Sequence, residues 1–183
     1  MSSFVKISSK ITKFNKRLSI EGDKSLSIRW ALLSSQSFKK SRASNLLLSE
    51  DVMSTLDCLK KLGVKIKISK NFCEIIGLGL NGFKYKDNLI LNAGNSGTLG
   101  RLILGLLVHS KKKIKLKGDK SLSKRDFVRV IKPLEKFGAK FYSNYGKLPI
   151  KIQGTNYTKP IKYFENKGSA QCKSAVMFAA LNT

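Results

Sequence analysis

Three stretches of this chain open in the same way at a fixed interval, and that repeat constrains the fold more than any other feature. GDKSLSIRWALLSS begins at Gly22, GNSGTLGRLILGLL at Gly94 and KGSAQCKSAVMFAALN at Lys167. Each is a small or polar turn leading into an apolar helix. Arg29, Arg101 and Lys173 stand at matching places, 72 residues apart each time. A second pair interleaves with the first: LDCLKKLGVKI from Leu56 and IKPLEKFGAKF from Ile131, 75 residues later. Both read as a helix stopped by glycine (Gly63, Gly138), followed by a strand alternating lysine with apolar residues. Two interleaved series with nearly one period describe a repeated structural unit.

The unit reads strand, helix, strand, helix, strand, strand. Helices are predicted over Ser25–Ser35, Val52–Leu62, Gly97–His109, Asp126–Phe137 and Ser169–Leu181. Strands are predicted over Val64–Ile68, Cys73–Ile76, Asn88–Leu91, Lys113–Lys117, Ala139–Tyr142, Pro149–Gln153 and Ile161–Phe164. Phe4–Ile7 and Leu18–Ile20 read as short extended pieces. The third unit reaches only its first helix before Thr183. Units of this kind bury their apolar faces against neighbours, so the sequence is expected to be part of a longer one.

Composition narrows the function classes. The 183 residues carry a net charge of +25, with 36 Lys and Arg against 11 Asp and Glu. A basic balance suits anionic partners: nucleic acid, lipid headgroups or phosphorylated metabolites. Thirty of the 36 are lysines, however, spread along strand and helix faces as in Val64-Lys65-Ile66-Lys67-Ile68. The longest run, Lys111–Lys113, is too short for a nucleic-acid tail. Clustered cations interleaved with exposed aromatics, the mark of a nucleic-acid module, are not evident. No apolar stretch reaches membrane-spanning length. Cys58, Cys73 and Cys172 lie in no metal-ligand spacing and read as free thiols of a reducing cytoplasm. His109 reads as a helix-end residue.

The repeated helix starts carry the chemistry. Unpaired backbone N–H groups and the helix dipole make a helix N-terminus an anion site. In the first copy Ser25 and Arg29 share a face one turn apart, with Lys24 at the mouth. Hydroxyl, guanidinium and ammonium can then converge on one carboxylate or phosphate. The second copy offers the backbone of Asn95-Ser96-Gly97-Thr98. The third offers Ser169, Ala170 and Gln171. With approximate threefold symmetry the three starts would meet at one end of the domain, suiting a ligand with several negative groups. A near copy of the first motif, GDKSLSKR at Gly118–Arg125, lies out of phase with the period and sets Arg125 near a further helix start.

GDKSLSIR, LNAGNSGTLGR, GDKSLSKR, LPIKIQG and SAQCKSAVMFAALN together resemble the EPSP synthase family, in order and in spacing, over residues 22–183. The resemblance implies an inside-out α/β barrel-like fold: two domains, each of three βαβαββ units around inward-pointing helices, with the active site between domains. Residues 1–20 would begin one domain, and 21–183 would be most of the other, the third unit incomplete. It implies transfer of the enolpyruvyl group of phosphoenolpyruvate to the 5-hydroxyl of shikimate 3-phosphate by addition and elimination. No cofactor or metal is implied, and the complete enzyme would be a cytoplasmic monomer.

By motif, Lys24 would touch both substrates, and Ser25 and Arg29 would hold shikimate 3-phosphate. Asn95 and Gly97 would shape the phosphoenolpyruvate site, with Arg125 binding that substrate. Ser169 and Ala170 would hold the 3-phosphate, with Gln171 between the substrates. Arg101 and Lys173 are given structural roles. The proton-transfer carboxylates of the family would lie beyond this chain, leaving none within it. Relatives tolerant of the inhibitor glyphosate carry alanine at the place of Gly97. Two departures stand out: Asp126-Phe127 replaces a usual Pro-Met and sets a carboxylate beside Arg125, and Ala170 replaces a frequent serine. The rival readings are the related UDP-N-acetylglucosamine enolpyruvyl transferase and a basic nucleic-acid-binding module.

Overall fold

A computed structural model describes residues 4–6, 8–10 and 12–183. The chain forms α1 (Lys24–Ser34), β1 (Lys40–Ser44), α2 (Glu50–Lys61), β2 (Lys65–Ser69), β3 (Phe72–Ile76), β4 (Leu89–Asn92), α3 (Gly97–Leu106), β5 (Ile114–Lys117), α4 (Val128–Glu135), β6 (Lys140–Asn144), β7 (Lys147–Gln153) and α5 (Ala170–Ala180). Short 3-10 turns cover Leu107–His109 and Leu122–Lys124. The run from β4 to β7 is one complete βαβαββ unit. The run from α1 to β3 repeats it without the leading strand.

The two sheets bear out the repeat. The first has the order β1-β3-β2, all antiparallel; the second has the order β4-β5-β7-β6. Matching β1 with β5, β2 with β6 and β3 with β7 superposes the orders. The second sheet adds β4, parallel to β5 in the register Leu89 opposite Ile114 through Asn92 opposite Lys117. Alternation sets the inward face: in β7, Leu148, Ile150 and Ile152 are buried while Lys147, Lys151 and Gln153 face outward. Gly63 and Gly138, the predicted helix stops, have φ of +92° and +107°. A side chain is strained in that left-handed region, which is why glycine ends both helices.

The helices divide by burial. In α2, Val52, Leu56 and Leu59 make one buried stripe, with Glu50 and Asp51 in the first turn and Lys60 and Lys61 in the last, each sign favourable to the helix dipole. α3 is buried at every position except Arg101, so it runs through the centre. It lies against α5, and Gly105 explains how closely: a Cβ there would stand 2.1 Å from the Ala175 carbonyl oxygen. His109 closes the far end, its Nε2 2.8 Å from the Ala179 carbonyl oxygen. A carbonyl only accepts, so that nitrogen carries the proton.

Two expected strands are not formed. Ile161–Phe164 has no ladder partner among the described residues, and a strand requires a hydrogen-bonding neighbour. Leu18–Ile20 is likewise outside any sheet and exposed. The expected strand over Phe4–Ile7 includes Ile7, which lies outside the described residues; Phe4, Val5 and Lys6 are exposed and outside regular structure. β1 was not predicted. Its sequence, KSRAS, carries no apolar alternation, and it is a strand because β3 pairs with it along its length.

Candidate functional site

Each inner helix is started by a side chain that satisfies its first free amides. Asp23 Oδ1 accepts from Leu26 N–H at 2.7 Å at the start of α1. Ser96 Oγ accepts from Leu99 N–H at 3.2 Å in α3, and Ser169 Oγ from Cys172 N–H at 3.2 Å in α5. These are N-caps, as expected for Asp and Ser at such positions. They leave other first-turn amides unpaired.

The starts of α3 and α5 are bonded to each other. Gln171 Nε2 donates to Thr98 Oγ1 at 3.1 Å, and Arg101 Nη1 donates to Gln171 Oε1 at 3.1 Å. The same guanidinium donates to the Gly97 carbonyl at 3.2 Å and, through Nη2, to the Asp126 carbonyl at 3.2 Å. It lies over the Phe127 ring, 5.0 Å from the centroid. Burial, with Arg125 and Arg129 near it, lowers the Arg101 pKa from its usual value. α1 joins from the other side: Arg29 Nε donates to Ser174 Oγ on α5 at 3.2 Å.

Arg101, Arg125 and Gly97 come together at the start of α3. A Cβ built on Gly97 would lie 2.9 Å from Nη1 of Arg101 and 2.9 Å from Nη1 of Arg125. Two guanidinium groups therefore converge on the first turn of α3, where only a glycine surface leaves them room. Arg125 is exposed, and among the described residues no carboxylate lies within ion-pair distance of it. The adjacent Asp126 carboxylate is turned toward the backbone instead, accepting from Val128 N–H at 2.7 Å at the start of α4.

The other predicted ligands have partners of their own. Lys24 is exposed at the start of α1, its Nζ 3.1 Å from Asp51 Oδ2. Ser25 is half-buried, and its carbonyl accepts from Arg29 Nη1 at 3.1 Å. Asn95 and Ala170 are exposed, and Ser169 is half-buried. Lys173 is exposed. Lys24 and Arg29 are each held by different neighbours, Asp51 for the first and Ser174 with the Ser25 carbonyl for the second. Arg101, given a structural role from sequence, is the hub of the site's hydrogen bonds. Its place in the second copy of the repeat, 72 residues after Arg29, was the signal for it.

Glu165 is the residue sequence reasoning missed. Its carboxylate accepts from Arg129 Nη2 at 3.1 Å, Lys167 N–H at 3.1 Å and the Tyr163 hydroxyl. The Tyr163 bond, and then the Lys167 amide, Arg129 and the Ser169 amide, hold its pKa at about 2, below an ordinary 4.5. No motif marks it.

Repeated βαβαββ units with inner helices that start at one end define the enolpyruvyl transferase type of fold. Residues 8–183 match the family model described as EPSP synthase (3-phosphoshikimate 1-carboxyvinyltransferase). A 3-phosphoshikimate 1-carboxyvinyltransferase of Ruthia magnifica is 46% identical over 164 residues, covering 90% of this chain and 38% of the relative. One from Streptococcus agalactiae serotype Ia is 42% identical over 166 residues, covering 90% and 39%. The solved EPSP synthase of Acinetobacter baumannii is similar in structure, with a TM-score of 0.84 at 35% identity over 90% of this chain and 37% of that one. The chain belongs to the EPSP synthase family. It spans about 38% of the length of the curated relatives it matches.

Proposed function

We propose that the chain supplies the substrate-positioning domain of a cytoplasmic EPSP synthase, active as a monomer when complete. Its ligands are shikimate 3-phosphate, at Lys24, Ser25, Arg29, Ser169, Ala170 and Gln171, and phosphoenolpyruvate, at Lys24, Asn95, Gly97, Arg125 and Gln171. The observation that carries this is the meeting of Arg101 and Arg125 over Gly97 at the joined starts of α3 and α5. Two cations, free helix amides and a glycine surface form a cradle for an anion. Held there, the two substrates would be aligned and their charges offset, the positioning share of catalysis.

The acids around the cradle support a division of labour. Asp23 caps α1, Asp126 and Asp119 accept from backbone amides at the start of α4 and in the 3-10 turn, Asp51 pairs with Lys24, and Glu165 is held by its donors. Each is committed to a structural contact through at least one oxygen, and in this reading the acid and base come from a second domain across the cleft. Residues 1–20 begin that domain; the exposed apolar side chains of Phe14, Leu18 and Ile20 are a surface for it to cover. Residues 21–183 are most of the first. The test is phosphate release from phosphoenolpyruvate that depends on added shikimate 3-phosphate. The chain alone should give none, and co-expression with a polypeptide covering the remaining length of a relative should restore it. Turnover by the chain alone would overturn the assignment.

A further inference from the structure

We infer that Glu165 is a positioning residue that fixes the start of α5, and through it the Ser169–Gln171 side of the anion cradle. The inference rests on the function proposed above. Between the end of β7 at Gln153 and the start of α5 the chain has no regular structure. A helix start is placed only as well as the chain leading into it, so something must hold this segment. On the α3 side, Gln171 does so through Thr98 and Arg101. On the α4 side, Glu165 does so: its side chain is 7% exposed and binds Arg129 of α4. It also gathers the Tyr163 hydroxyl and the backbone amide of Lys167, two residues before the Ser169 cap of α5.

The identity of the residue follows from this set of donors. All of its partners donate, and an ionised carboxylate accepts at about four lone-pair positions. Glutamine would keep one accepting oxygen and could offer its NH2 only to the Tyr163 hydroxyl, which also accepts, but it would lose the charge that draws in Arg129. Aspartate is one methylene short. The carboxylate also neutralises Arg129 beside a site built for anions. Removing it therefore has two opposed effects: an added positive charge favours anion binding, and a loosened α5 start disfavours it. The sign of the change in affinity shows which dominates.

The experiment measures binding of shikimate 3-phosphate and amide hydrogen exchange in the unsubstituted chain, in Glu165→Gln and in Glu165→Gln combined with Arg129→Ala. The expected result is affinity weakened about tenfold in Glu165→Gln, the size usual when a residue acts on a site through its neighbours, with faster exchange at residues 167–171 and unchanged exchange in α2. The double variant, which restores the charge balance but not the tether, should stay weak. Affinity equal to or tighter than that of the unsubstituted chain, or unchanged exchange at 167–171, would overturn the inference. Should Glu165→Gln unfold, Tyr163→Phe removes a single donor and must still speed exchange at 165–169; no change there overturns it equally. If the unsubstituted chain binds no shikimate 3-phosphate, the proposed function fails, and the exchange comparison still decides the role of Glu165.

Discussion

Nη1 of Arg101 and Oε1 of Gln171 lie 3.1 Å apart, joining the first turns of two helices that begin 73 residues apart in the chain. Gln171 spends its other polar atom on Thr98, so one amide spans both helices. Gln171→Ala leaves a half-buried guanidinium short of an acceptor. It should lower stability by about 1–3 kcal/mol and weaken shikimate 3-phosphate binding. Urea unfolding and calorimetric titration measure the two.

Gly97→Ala should act chiefly on ligands. Its methyl would displace the tips of Arg101 and Arg125, 2.9 Å away, and both tips are the ends of long side chains. In a complete enzyme, the inhibition constant of glyphosate should rise strongly, and more than the Michaelis constant of phosphoenolpyruvate. Unfolding free energy should fall by about 1 kcal/mol, because the displaced Arg101 Nη1 is the atom that donates to the Gly97 carbonyl and to Gln171. Steady-state kinetics with the inhibitor decide it, and tolerance in the unsubstituted enzyme would place control of access elsewhere.

Gly105→Ala should do the reverse. Its Cβ would meet the backbone oxygen of Ala175 at 2.1 Å, and a backbone in mid-helix cannot swing aside. α3 and α5 must separate, at about 2–3 kcal/mol. A lowered urea midpoint with an unchanged slope is the expected signature.

Acid unfolding should report Glu165. Its folded pKa is depressed to about 2 from an ordinary 4.5. The stability it contributes is therefore complete above 4.5 and fades as pH falls through about 2. Melting curves of the unsubstituted chain and Glu165→Gln should differ most above pH 4.5 and converge near pH 2. A constant gap down to the lowest pH would contradict the depressed value.

Cys58 should be slow toward thiol reagents. Burial, the largest influence, pushes its pKa up to about 11, and its Sγ donates to the Asn92 carbonyl at 3.3 Å. At about pH 8 an ordinary thiol already reacts as a thiolate; Cys58 should become labelled only as the chain unfolds. Mass-spectrometric labelling with and without denaturant tests this.

What was legible in the sequence was local or periodic. All five helices, and glycine at 63 and 138, follow from apolar spacing and stop signals that act within a few residues. β1 was not legible because Lys40–Ser44 owes its conformation to β3, more than 25 residues later. Ile161–Phe164 was read as a strand on side-chain pattern, but pattern supplies no ladder partner. The convergence of Arg101 and Arg125 on Gly97, and the tether at Glu165, are tertiary relationships. The sequence named the cations, but it did not show which neighbour each one answers to.

The octapeptides at Gly22 and Gly118 differ at one position, isoleucine against lysine. Asp23 and Asp119 engage the amide three residues on in the same way, at 2.7 and 2.6 Å. One nevertheless launches eleven residues of helix and the other a three-residue turn, with Arg125 already extended at φ −76° and ψ 149°. The motif is therefore punctuation that says where winding begins and nothing about how long it lasts. Duration is written downstream, in Trp-Ala-Leu-Leu after Arg29 and Asp-Phe-Val after Arg125. One short phrase could thus be reused in a single chain, once to begin a long helix and once to leave an arginine free at the mouth of a cradle.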